Sequence, residues 1–195
     1  VMPDETEINN FVDSMNKYKL PFIMGNEYGS INGPYQKGTN RYDIPEDSVE
    51  KAKKSDNFMG LLYDETEHLQ MHPDTYNRYS ATGEVCDESY FHQWTSPSDK
   101  SLQEIEDDIE KSVRKRILEY GGEVDLYSEH VFPVMYHTLA RGGFTPCPKV
   151  LKEEIQSVQL VSALGAASQY KRKMGICVDL WGPDVGNWFT RIWSF

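Results

Sequence analysis

Ile155-Gln156-Ser157-Val158-Gln159-Leu160-Val161-Ser162-Ala163-Leu164, running on to Arg172, and then Met174-Gly175-Ile176-Cys177-Val178-Asp179-Leu180, form the stretch on which the fold turns. In the first part Ile155, Val158, Val161 and Leu164 recur every third residue, which predicts a helix with these four along its buried side. The second part is a short apolar run of strand length. Lys173 alone lies between them. A strand that is apolar throughout is covered on both faces, and that is the condition of a parallel sheet with helical crossovers.

The same alternation extends toward the amino end. A helix is expected over 4–18, opened by Asp4-x-x-Glu7 in the manner of a capping box, with Ile8, Phe11, Val12, Met15 and Tyr18 on one face. Leu20 to Gly25 reads as a strand, 45–55 as a second helix with Pro45 in its first turn, and Asn57 to Tyr63 as a second strand. The clearest helix runs from Asp99 to Tyr120, where Leu102, Ile105, Ile109, Val113, Ile117 and Tyr120 step by three or four before Gly121-Gly122 stops it. A further helix is expected near 127–141, with Pro133 as a first-turn residue or a kink, and Lys149 to Lys152 reads as a third strand. The strand at 174–180 is then the fourth.

The connections are unequal. Helix-to-strand links are short, at Lys19, Asp56 and Lys173, whereas strand-to-helix links are long, at 26–45, 64–98 and from 181 onward. This places the elaborated segments at the carboxyl ends of the strands, the edge that carries the active site in α/β barrels and open α/β sheets alike. The expected fold class is therefore α/β, a parallel (β/α)-barrel type, read as the amino-terminal half of a TIM barrel. Residues 1–195 are read as one (β/α) domain or part of one, continuing past Phe195, because the aromatic-rich Trp188 to Phe195 is unlike an ordinary polar terminus.

Composition removes several classes of function. A formal charge of −11 and a pI near 4.9, with no Lys/Arg cluster, argue against nucleic acid as a partner. No apolar run approaches the ~20 residues of a membrane helix, so no membrane insertion is expected. Cys86, Cys147 and Cys177 have no CxxC spacing, which leaves no zinc ribbon or thioredoxin motif. Phosphate-cradling GxGxxG and GxxxxGK motifs and the GxSxG of serine hydrolases do not occur. No cofactor is implied. The oligomeric state has no signature in the sequence.

What the strand ends do carry is acid. The first strand runs into Asn26-Glu27-Tyr28, the second into Asp64-Glu65-Thr66-Glu67-His68, and the last into Asp179-Leu180-Trp181. Carboxylates that converge from strand ends to about 5–9 Å suffice for glycoside hydrolysis. Asp179, closing an apolar strand beside Trp181, is the best catalytic candidate, followed by Asp64 and Glu65, of which an alternating pleat turns one inward. Asn26, Glu27, Tyr28, His68, Trp94 and Trp181 are the candidate substrate-binding residues, since flat aromatic faces beside amides and acids suit a sugar ring. His68 and His72 stand four apart, but Pro73 disfavours helix there and the stretch is not HExxH, so no metal is assigned. Glu129, His130 and His137 fall on the helix expected over 127–141 and are read as packing or surface residues.

The segment Gly175-Ile176-Cys177-Val178-Asp179-Leu180-Trp181 resembles the fourth-strand region of TIM-barrel glycoside hydrolases of the α-galactosidase and α-glucosidase type. The resemblance centres on Val178-Asp179-Leu180-Trp181. It implies a barrel fold, a carbohydrate substrate, and Asp179 as nucleophile or acid/base, with the second acid on a later strand beyond Phe195. Enzymes that degrade sugar polymers are commonly exported, so a secreted or cell-surface location goes with this reading. Two other readings stand beside it: a non-catalytic carbohydrate-binding or scaffold segment, and a metal-dependent hydrolase using Asp64, Glu65, His68 and Asp179.

Overall fold

The computed structural model describes residues 5–26, 46–63, 99–130, 133–151 and 157–179. Along them run α1 (Glu5–Tyr18), β1 (Phe22–Asn26), α2 (Glu46–Lys53), β2 (Phe58–Tyr63), α3 (Leu102–Glu119), β3 (Leu126–His130), α4 (Tyr136–Gly142), β4 (Thr145–Leu151), α5 (Ser157–Tyr170) and β5 (Cys177–Asp179). Every neighbouring pair of strands is parallel, and the sheet order β1-β2-β3-β4-β5 is the order of the chain. The sheet curls as part of a barrel wall.

The register divides the sheet into two faces. Met24, Leu61 and Leu126 stand side by side across β1, β2 and β3. They share one core with Val12 of α1, Val49 and Ala52 of α2, Ile109 and Val113 of α3, and Leu139 of α4. This is the helix-covered face. Each such aliphatic side chain, fully buried, contributes about 1.5–3 kcal/mol. The intervening row, Ile23, Gly25, Gly60, Leu62, Tyr127, Glu129, Thr145, Cys147, Lys149 and Cys177, lies on the opposite, inner face.

Two expectations from the sequence are corrected. The segment 127–141 is not one helix. It holds strand β3 and, after Pro133, the short helix α4. The described sheet therefore has five strands rather than four, the strand at Lys149 is β4 and begins at Thr145, and Asp179 ends β5. All five residues of β3 are buried, three of them polar, and it is the partners held by Ser128, Glu129 and His130 that let a polar segment occupy a sheet interior.

The second correction concerns α5. Val158, Val161 and Leu164 face outward, at 68%, 68% and 56% exposure, whereas Gln159, Ala163, Ala166 and Ala167 are buried. Ala163 and Ala166 pack on Tyr136 and Ala140 of α4. Small side chains let the two helices approach closely, and Gln159 is turned in because its amide holds a strand-end carbonyl. Phe11 and Tyr18 of α1 and Leu102 of α3 are likewise exposed, although they fit the apolar period. Helix α3 otherwise follows its sequence. Ser101 caps it, the Ser101 hydroxyl accepting from the Glu104 amide while the Ser101 amide donates to the Glu104 carboxylate at 2.8 Å.

Candidate functional site

The central strand β3 sends its side chains alternately to the two faces, and the polar ones on each face have different surroundings. On the helix-covered face the Ser128 hydroxyl lies 2.5 Å from Nε2 of His130. The His130 carbonyl accepts from the Gln159 amide of α5 and, at 3.4 Å, from the Tyr136 hydroxyl of α4. Gln159 also donates to the Tyr136 oxygen at 3.1 Å, and the rings of Tyr136 and His130 are 4.9 Å apart. A serine on a histidine nitrogen is the pairing of nucleophilic catalysis. Here both are sealed under α4 and α5, at 1% and 0% exposure, and no substrate atom reaches them. This group ties the polar end of β3 to α4 and α5.

The inner face is different. Glu129 is the second-last residue of β3, and its carboxylate lies 3.2 Å from Nζ of Lys149 on β4. Both are buried. Cys147 stands beside Glu129 in the register and Cys177 beside Lys149. Burial, and then the Glu129 carboxylate close by, hold Cys177 well above the ordinary thiol range. Burial and the Glu129 charge push Cys147 up to about 12. Both thiols are therefore protonated at neutral pH, as donors or packing groups and not as nucleophiles.

Tyr127 extends the same wall toward the amino end of the strands. It fits because its neighbours have no side chains. A Cβ on Gly175 would stand 3.0 Å from the Cys147 sulfur and 3.1 Å from the Tyr127 ring. One on Gly60, whose φ is +138°, would stand 2.1 Å from the Asp125 carbonyl oxygen, the acceptor of the Leu61 amide. Burial raises the Tyr127 phenol above its usual value, with the Asp125 charge adding to it. At this amino-end rim Lys173 pairs with Asp125 at 2.5 Å, which raises the lysine.

Of the residues expected to act, Asn26 ends β1 in register with Tyr63, and Asp179 ends β5 in register with Leu151. Because all five strands are parallel, both lie at the carboxyl edge, at the first and last strands of the sheet. Glu27 and Tyr28 follow β1, Asp64, Glu65, His68 and Trp94 follow β2, and Trp181 follows β5, all outside the described residues. Glu129 and Lys149 were not among the expected residues. The Gly121-Gly122 helix stop and Pro133 bound that stretch as a separate element, but Ser128 and His130 break the apolar pattern that marks a buried strand, so the inward-facing acid had no signal.

Among the described residues no group of three or more His, Cys, Asp and Glu has the arrangement of a metal site, and no helix is long and apolar enough to cross a membrane. No protein-family model, no curated protein and no solved structure matches this chain.

Proposed function

We propose that the chain belongs to a glycoside hydrolase-like enzyme that cleaves glycosidic bonds with carboxylates at the carboxyl ends of parallel strands. One observation carries this reading: the strands run parallel in one curled sheet, so those leading into Asn26-Glu27, Asp64-Glu65 and Asp179 all end on the same side. Asp179 serves as nucleophile or acid/base and Asp64 or Glu65 as orienting or second acid, with Asn26, Glu27, Tyr28, His68, Trp94 and Trp181 around the sugar. Since Asp179 ends the fifth described strand, its role rests on its place at the edge and not on a strand number. Two-carboxylate chemistry requires a charge that is stronger toward the oxocarbenium-like transition state than toward the sugar itself.

The test is turnover of a panel of aryl glycosides by the full-length protein. Asp179→Asn is expected to lower kcat by several orders of magnitude, with the denaturation midpoint nearly unchanged, since the amide is close in shape and keeps its polarity. Wild-type-like turnover in that variant removes Asp179 from the chemistry. A chelator that abolishes turnover, with added metal restoring it, shifts the reading to a metal-dependent hydrolase. Sugar binding without any turnover shifts it to a binding or scaffold segment.

A further inference from the structure

We infer that the outer face of α5 and the adjoining helix-side face of β5 form a docking surface for a segment of this same chain, Val185 to Phe195, which covers them as an amphipathic helix.

Exposed apolar side chains scattered singly are ordinary on a protein surface, whereas a contiguous set marks an interface. Helix α5 carries such a set: Val158, Val161 and Leu164 recur every third residue, and all three are exposed. At about 3.6 residues per turn, Val161 stands across the helix from Ala163 and Ala166, the residues that pack on α4. The row is therefore turned away from α4, toward the place of the next helix around the sheet. The sheet at that place is bare as well. Helix α5 rests on β4, and β5 lies beyond β4. Gly175 faces the Cys147 sulfur and the Tyr127 ring on the inner side, which Cys177 shares. Ile176 and Val178 thus face the helix side, where they are 56% and 68% exposed.

The chain itself supplies the occupant. Residues of α1, α2, α3 and α4 share one core with Met24, Leu61 and Leu126, so the helices that accompany the strands lie on this face. Around it α4 packs beside α3 and α5 beside α4. The segment that follows β5 accordingly belongs beside α5. Leu180 to Phe195 lies outside the described residues, and its sequence has the form required. After the polar opening that reads as a link, Val185, Trp188, Phe189, Ile192 and Trp193 take the i, i+3, i+4, i+7, i+8 spacing of one apolar stripe. Asn187, Thr190, Arg191 and Ser194 fall on the other side, and Asp184 is suited to cap the first turn. Large aromatic rings against Val, Leu and Ile bury much apolar surface. Val185 follows Val178 by seven positions, so this tether keeps the stripe near the face at any protein concentration. A second copy of the chain lacks that advantage.

The experiment is hydroxyl-radical footprinting of the full-length protein, read by mass spectrometry at single side chains over a wide range of protein concentration. Leu164 is expected to be oxidised several-fold more slowly than the exposed Leu102 and Leu118 of α3 at every concentration. The double variant Trp188→Asp/Ile192→Asp is expected to raise Leu164 to their rate. A second measurement needs no disruptive variant: p-benzoylphenylalanine in place of Phe189 keeps an aromatic ring, and on irradiation is expected to cross-link within one chain to the 157–170 or 176–178 peptide. If the double variant unfolds, the cross-link decides. Oxidation of Leu164 as fast as that of Leu102 in the wild type overturns the inference, and so does slow oxidation that persists in the folded double variant. Protection that appears only as concentration rises, or cross-links found only between chains, assigns the face to a second copy and overturns it too. Intrachain cross-links confined to other peptides do the same.

Discussion

At the scale of single residues, the Glu129–Lys149 pair sets the energetics of the inner wall. Lys149→Met leaves a buried carboxylate without its ammonium and is expected to lower stability by about 3–5 kcal/mol, whereas the double variant Glu129→Met/Lys149→Met removes both charges and is expected to lose far less. Urea denaturation of the two single variants and the double checks this, and additive losses would show that the charges do not interact. None of this was legible in the sequence, because Ser128 and His130 on either side of Glu129 erase the apolar pattern by which a buried strand is recognised. The Ser128 hydroxyl is met by His130 itself, and the His130 carbonyl by Tyr136, six positions further on, and by Gln159, 29 positions on, a distance no local period records. Asp179 was legible for the opposite reason: it stops an uninterrupted apolar run.

At the scale of elements, helix ends show where the chain accepts strain. Helix α1 closes with Leu20 donating to the Met15 carbonyl and Lys19 to that of Asn16, at 3.0 and 3.2 Å, and α5 with Arg172 donating to that of Ala167 at 2.8 Å. These bonds require a left-handed residue, and Lys19 and Lys171 both have a φ of 53°, where glycine is the usual occupant. Lys171→Gly is expected to stabilise the protein by about 1 kcal/mol, or about 2–4 °C in Tm, because a left-handed backbone costs an L-residue about 1–2 kcal/mol. A thermal melt decides it, and an unchanged or lower Tm means the lysine relieves its own strain. Sequence reading located these helices within a few residues, since period and caps are local properties. It mistook the buried side of α5, because which stripe turns inward depends on the neighbour, and α4 offers a surface that accepts Ala163 and Ala166 in place of Val161 and Leu164.

At the scale of the molecule, parallel pairing was legible from the alternation of short apolar runs with amphipathic helices, and one strand of the five was not. The sheet order has a measurable consequence. Strands β2, β3 and β4 have a hydrogen-bonded neighbour on each side, while among the described residues β1 and β5 each have one. Amide exchange is therefore expected to be slowest at Leu61–Tyr63 and Tyr127–His130 and fastest among strand residues at Val178, which is 68% exposed. Mass-spectrometric exchange on the intact protein measures this gradient, and uniform protection from β1 to β5 would mean that the sheet opens as one unit.

The identity of chain order and sheet order also bears on how the protein is made. A strand emerging from the ribosome finds its partner already built, earlier in the chain, and never waits for a segment still to be translated. Each loop to be closed spans one crossover, so the sheet grows by stepwise addition at a single advancing edge. The growing edge during synthesis is always the newest strand, and each helix and strand that follows shields it from other chains.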